Sequence, residues 1–169
     1  EEFARAFKIM EETTESAFIT GRAGTGKSTL LRFFKEKTQK NVVIVAPTGV
    51  AAINVRGQTI HSFFKFPPKL VHKDNIRKLR NAELLEKIDT LIIDEVSMVR
   101  ADLMDGIDHS LRINRDNLDK PFGGAQVIFF GDLYQLPPIV KREERDFLAL
   151  SYATPYFFRT NSVAFFCAT

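Results

Sequence analysis

Gly21-Arg22-Ala23-Gly24-Thr25-Gly26-Lys27-Ser28 is the stretch that decides the fold. It satisfies G-x-x-x-x-G-K-[ST] at every position, the pattern of a loop whose backbone amides wrap a chain of phosphates. Glycines let those amides converge without Cβ clashes, and a helix beginning at the loop's end adds its positive pole. The flanks supply the required context. Ala17-Phe18-Ile19-Thr20 is an apolar run too short for a helix and stopped by Gly21, so it reads as a buried strand. Lys27 to Lys37 places Leu30, Leu31 and Phe34 on one helical face. In this setting Lys27 is expected to reach the β- and γ-phosphates of ATP, and the Ser28 hydroxyl to hold Mg²⁺.

On either side the same alternation continues. Phe3, Phe7 and Met10 have helical spacing, and NVVIVA (Asn41 to Ala46), TLIID (Thr90 to Asp94) and QVIFF (Gln126 to Phe130) read as three more buried strands. Helices are expected near Val50 to Val55, Ala82 to Lys87 and Arg100 to Arg112. Strands that are apolar throughout and alternate with helices imply a parallel sheet covered on both faces. The expected fold is therefore a three-layer α/β/α P-loop NTPase. The 169 residues suit one domain, and the 16 Phe suggest a core filled largely by phenylalanine. The mixed-charge run Lys141 to Asp146 reads as a solvated loop or helix start.

Composition narrows the class. Apolar residues at 44% and charged residues at 27% suit a globular domain, and one cysteine, Cys167, excludes an internal disulfide framework and fits a reducing compartment. No apolar run approaches the ~20 residues of a membrane span, and no signal-peptide pattern precedes the first strand. The net charge of +3 is small, so any nucleic-acid contact must come from a local patch. Val163 to Cys167 stops without a turn or cap, which reads as a chain cut inside a larger protein.

Leu91-Ile92-Ile93-Asp94-Glu95 puts two carboxylates at the tip of a buried strand, the edge where α/β sheets bind ligands. Asp94 is expected to hold Mg²⁺ through water, and Glu95 to polarise an attacking water as general base. That adjacent acid argues against a nucleotide kinase, which needs no such base. Gly131-Asp132-Leu133-Tyr134-Gln135-Leu136-Pro137-Pro138 follows the fourth strand. Its Gln135 suits sensing a γ-phosphate or the attacking water, or is simply a polar turn residue.

GRAGTGKST, APTGVAA (Ala46 to Ala52), QTIHSFF (Gln58 to Phe64), IIDEVSMV (Ile92 to Val99) and GDLYQLPP occur in that order. Together they resemble motifs I, Ia, a Thr-Ile-His segment, II and III of the petite-integration-frequency (PIF) helicases, within the RecD-like group of superfamily-one helicases. The resemblance covers residues 16 to 159. It implies a RecA-like first motor domain of an enzyme moving 5′ to 3′ along single-stranded DNA, unwinding duplexes and sometimes G-quadruplexes in genome maintenance. It assigns Gly21, Ala23, Gly24, Thr25, Gly26, Lys27, Ser28 and Thr29 to the nucleotide, Asp94 and Glu95 to metal and water, and Gln135 to the γ-phosphate. Lys27, Glu95 and Gln135 are then the catalytic set. Thr48 and Gly49 match a turn that touches the DNA backbone, and Thr59, His61 and Ser62 match the next DNA-facing segment. A histidine such as His61 also fits a packed or capping role.

Two departures from the family pattern stand out: no adenine-recognising Gln lies within EEFARAFKIM, and motifs IV to VI with the second RecA-like domain are absent. The arginines they supply are worth roughly 10³ or more in rate in related NTPases. The family inserts a small duplex-splitting subdomain at residues 63–80. Lys65, Lys69, Lys73, Arg77, Lys78 and Arg80 there, with Phe63, Phe64 and Phe66 between, suit a nucleic-acid surface. Lys65, Phe66 and Lys69 are its expected DNA contacts; the other reading is a solvated loop and helix with the rings packed beneath. The expected setting is a monomer away from membranes, cytoplasmic or nucleoid-associated in a bacterium, nuclear or mitochondrial in a eukaryote. A P-loop or AAA-type ATPase that remodels protein partners is the competing class.

Overall fold

The computed structural model describes residues 2–22, 24–159 and 166–168. Six strands form one parallel sheet: β1 (Ala17–Thr20), β2 (Val42–Ala46), β3 (Gln58–Thr59), β4 (Thr90–Ile93), β5 (Gln126–Gly131) and β6 (Phe166–Ala168), in the order β3-β2-β4-β5-β1-β6. The expected four strands are present, with ends shifted by a residue. The two edge strands β3 and β6 were not expected, because strands of two and three residues carry no readable period. Val163 to Phe165 lie outside the described residues, whereas Phe166 and Cys167 pair with Ala17 and Phe18 of β1.

Alternation along each strand divides the core into two layers. Ala17 and Ile19 of β1, Ile92 of β4 and Ile128 and Phe130 of β5 pack with Leu30, Leu31 and Phe34 of α2 (Lys27–Lys37). Ala6 and Met10 of α1 (Glu2–Glu12) join the same layer. Phe18, Leu91, Ile93, Val127 and Phe129 point the other way, toward Phe63 and Phe64 on α4 (Ile60–Phe64), Leu85 on α5 (Glu83–Glu86) and Met104, Ile107 and Leu111 on α6 (Ala101–Asn114). This is the expected three-layer α/β/α arrangement. Among the described residues no helix is long and apolar enough to cross a membrane.

The N-terminal helix is tied down at its far end. The Lys40 ammonium donates to the carbonyls of Met10 (2.6 Å) and Thr13 (2.8 Å), satisfying acceptors that a helix C-terminus leaves open. Two short helices are capped by threonine. The Thr48 hydroxyl accepts from Ala51 N–H at the start of α3 (Gly49–Asn54), and Thr59 does the same from Ser62 N–H at the start of α4, each at 3.2 Å.

The run Lys141 to Asp146 is the expected exposed helix start, with one exception. Glu144 is buried and its carboxylate accepts from Arg100 Nη1 at 2.9 Å, while α7 (Arg145–Ser151) follows directly. A distant cation, invisible to local charge pattern, pulls this acid inward. Phe63, Phe64 and Phe66 are all buried too, with Phe64 and Phe66 stacked at 5.4 Å. Phe66 is therefore packed on the core at 9% exposure, with little of its ring left open, rather than standing out as a free platform. Apolar burial of a phenylalanine outweighs its use as an exposed platform unless something holds it out.

Candidate nucleotide and strand-binding site

Parallel pairing of β1, β5 and β4 brings three loops to one sheet edge, since Thr20 lies opposite Gly131 and Ile93 opposite Phe129. Those loops enclose a cleft of about 340 Å³ lined by Gly24, Gly26, Lys27, Ser28, Thr29, Asp94, Glu95, Gly131, Asp132 and Gln135. Segments that are far apart in sequence thus meet in one place.

The phosphate loop leaves its helix end open. Gly24 and Gly26 hold φ of +83° and +92°, a region that glycine enters without strain, and Gly26 caps α2 with no side-chain hydrogen bond. The first amides of α2 are thereby left facing the cleft, as an anion site requires. Lys27 Nζ donates to the carbonyls of Gly21 (2.5 Å) and Arg22 (3.0 Å), which hold the ammonium at the mouth of the loop. Thr25 Oγ1 donates to Arg22 O at 2.8 Å and tightens the same turn. Ala23 lies outside the described residues.

At the end of β4, burial pushes the Asp94 carboxyl up to about 6; the Glu95 backbone N–H and the Lys27 charge pull it down, and the Glu95 carboxylate adds to the rise. Glu95 sits in the left-handed region at φ 49°, ψ 43°, an unusual backbone for a side chain with a Cβ. Such strain persists where the surroundings over-determine it and is commonest at working sites. Among the described residues no three His, Cys, Asp or Glu side chains cluster as a metal cage. Magnesium needs none: it takes one or two protein oxygens and fills its shell with water and phosphate oxygens. Ser28 and Asp94, on the same cleft, fit that modest demand.

Gln135 is oriented by a residue that sequence reasoning passed over. Its Nε2 donates to Asp132 Oδ2 at 3.2 Å, and its backbone N–H donates to Asp132 O at 3.0 Å. The other carboxylate oxygen of Asp132 accepts from Tyr134 N–H at 3.0 Å, and Asp132 is 7% exposed. An aspartate opening a tight polar turn was the available signal. Gly131 has no room for a side chain, because a Cβ there would lie 2.9 Å from Val96 Cγ1 and 3.3 Å from Val96 N. The loop carrying Gln135 and the loop carrying Glu95 are therefore in contact.

A second cleft of about 690 Å³ adjoins the first and shares Gly26, Lys27 and Asp132 with it. Gly21 and Thr25 line this one, opposite Phe3, Arg5 and Ala6 of α1 and the wholly exposed Tyr134. These α1 residues lie in the upstream segment EEFARAFKIM, where the family pattern expects an adenine-recognising Gln, although no single residue there marks itself as part of a site.

The residues expected to face the DNA strand sit along the same edge but apart from the cleft. Pairing of Ala46 with Thr59 sets Thr48, Gly49, Thr59, His61 and Ser62 side by side at the ends of β2 and β3. Gly49 and Ser62 are exposed, Thr48, Thr59 and His61 half-buried. Burial, helped by the Arg100 charge, holds the His61 imidazole below its usual range, and Asp102 opposes both. Arg100 is the hub behind it. Its guanidinium grips Asp102 through two 2.9 Å bonds and Glu144 through a third, and Asp102 Oδ2 also accepts Val71 N–H at 3.0 Å.

The PIF1-like helicase model matches residues 3–156. The chain belongs to that family. Among its relatives, the ATP-dependent DNA helicase PIF1 of Emericella nidulans is 41% identical over 165 residues, covering 87% of this chain and 22% of that protein. The Pif1 helicase of Psychrobacter is 36% identical over 149 residues, covering 83% of this chain and 22% of that protein. A crystal structure of a Bacteroides Pif1 helicase in complex with ADP-AlF3 and ssDNA superposes with a TM-score of 0.90 at 41% identity, over 100% of this chain and 41% of that one. The Candida albicans Pif1 helicase superposes at 0.79 and 32% identity, over 99% of this chain and 39% of that one. The chain thus spans about a fifth of these curated PIF1-like relatives and about two fifths of the solved ones.

Proposed function

We propose that this chain is the ATP-binding and hydrolysing motor domain of a 5′ to 3′ DNA helicase that translocates on single-stranded DNA in genome maintenance. The observation that carries the reading is the single cleft gathering Lys27, Ser28, Asp94, Glu95 and Gln135. The relatives named as ATP-dependent DNA helicases and the Bacteroides complex support it.

The roles follow from position. Amides of Gly24, Gly26 and the first turn of α2 bind phosphate oxygens, and Lys27 moves its ammonium from loop carbonyls to the β- and γ-phosphates. Ser28, and Asp94 through water, would hold Mg²⁺, which would offset phosphate charge. Glu95 takes the proton of the attacking water, and Gln135 orients that water or the γ-phosphate, its amide steered by Asp132. Thr29 closes the loop's far side. The neighbouring apolar cleft against α1 and Tyr134 is of a size to receive the nucleoside. Thr48, Gly49, Thr59, His61 and Ser62 line the path of the strand, with Lys65 and Lys69 beyond them. Duplex and G-quadruplex junctions are the expected substrates, and a second RecA-like domain is the partner that supplies charge-stabilising arginines. Alone, this chain should turn over ATP very slowly.

The test is ATP turnover of the full-length protein with and without single-stranded DNA. A helicase motor is stimulated strongly; a turnover indifferent to DNA favours the protein-remodelling class and overturns the proposal.

A further inference from the structure

A concavity of about 650 Å³ lies wholly within residues 64–80, apart from the nucleotide cleft. Its walls divide by chemistry. Phe66, Leu70, Ile76 and Leu79 line it with apolar atoms, while the exposed cations Lys65, Lys69 and Arg80 stand along it. The floor is braced from behind. Gly106 of α6 comes so close that a Cβ there would lie 2.6 Å from Val71 Cγ1 and 3.4 Å from Phe66 Cζ, so this wall rests directly on the helix that follows Asp94 and Glu95.

The cations are not equivalent. Lys78 is spent on Asp116 at 2.5 Å, and Arg77 on the carbonyls of Asp74 and Ile76. Lys65, Lys69 and Arg80 have no such partner among the described residues. Lys65 also occupies the left-handed C-cap of α4, at φ 59°, ψ 33°, where glycine would sit without strain. A lysine held there at a conformational cost points to work for its charge.

We propose that this concavity seats one nucleotide of a single strand, with its base on the apolar floor and adjacent phosphates on Lys65 and Lys69. The inference rests on the strand-binding reading above and adds a specific subsite to it. A flat apolar ring flanked by anions matches a floor flanked by unpaired cations, and the volume suits a mononucleotide unit. A purely electrostatic patch would need no concavity, and a purely apolar partner would leave the lysines unanswered.

The test uses the full-length protein, with oligothymidylate and the same oligomer made largely of abasic sites, titrated with salt by fluorescence anisotropy. Lys65→Ala with Lys69→Ala should flatten the log–log salt slope by about 1.4, two contacts at ~0.7 each for a single strand. Leu70→Ser with Leu79→Ser, at two half-buried positions, should leave that slope intact. It should weaken the base-bearing strand by about tenfold and the abasic strand hardly at all. Lys65→Gly keeps the fold honest: relieving the left-handed strain, it should melt no lower than the parent and still lose part of the slope. Equal loss on both strands in the floor variant, or an unchanged slope in the rim variants, overturns the seat while the helicase reading stands. A parent protein that binds neither strand sinks both.

Discussion

Arg100 offers the sharpest test of how the sheet edge carrying His61 is held. Its side chain is 15% exposed, and those of its partners Asp102 and Glu144 are 0% and 9% exposed. Burial works against the guanidinium charge, and the two carboxylates outweigh it, so the arginine is held above its usual value. Arg100→Ala strands a carboxylate that has no exposure to water. Removing one member of a buried pair costs about 3–5 kcal/mol, because the other is left uncompensated. For a domain of this size each kcal/mol moves the melting temperature by roughly 2–4 °C, giving a fall of about 6–20 °C. Arg100→Lys keeps the charge but loses the two-pronged grip, so its fall should be smaller. Pairing Arg100→Ala with Asp102→Asn should recover part of the loss, a coupling of about 1–3 kcal/mol in a double-mutant cycle. The His61 imidazole reports on the same cluster. Arg100 lowers it and Asp102 raises it, so the Arg100→Ala variant should titrate at higher pH by NMR. A melting shift under ~2 °C with an unmoved His61 titration would refute the idea that this cluster holds His61, Val71 and Glu144 together.

Other outcomes follow from the cleft. Lys27→Ala should cut Mg-ATP affinity severely by calorimetry, and an unchanged affinity would remove Lys27 from the phosphate site. Glu95→Gln keeps shape and loses the base, so in the full-length protein ATP should bind normally while turnover drops by ~10² or more; near-normal turnover would place the base elsewhere. Mg-nucleotide affinity should weaken as pH falls through about 6, because the raised Asp94 carboxyl is then protonated and must release a proton to meet the cation. Asp94→Asn should flatten that dependence, and a parent protein with pH-independent affinity between 5 and 7 on the ordinary scale of such titrations, roughly the window about that value, would contradict the role given to Asp94.

Much of this was readable from residues alone. GRAGTGKS announced strand, loop and helix together, since only that context makes the pattern useful. LIIDE did the same for the neighbouring strand end. Both signals are local, and so both survived translation into three dimensions. What could not be read depends on distant partners. Asp132 gains its role only when Gln135 folds back onto it. Glu144 is buried only because Arg100 reaches it across 44 positions. Phe66 looked like an exposed ring because its neighbours are lysines, yet α6 covers it from a segment 40 positions downstream. Periodicity reports which side of an element is apolar, and it is silent on which element arrives to cover it.

The strand order carries a consequence for how the molecule comes into being. Ala17 of the phosphate-loop strand lies against Ile128, with no earlier strand beside it on that side. During synthesis at ~5–20 residues per second, the ribosome must therefore work for several seconds before that neighbour is even made. Until then β1 has neither of its neighbours in this sheet, β5 and β6. Parallel pairings over such separations are also slow to close once both halves exist. The cleft expected to hold ATP is likewise completed by the last of its three loops to emerge, so nucleotide can steady the fold only after that loop is made.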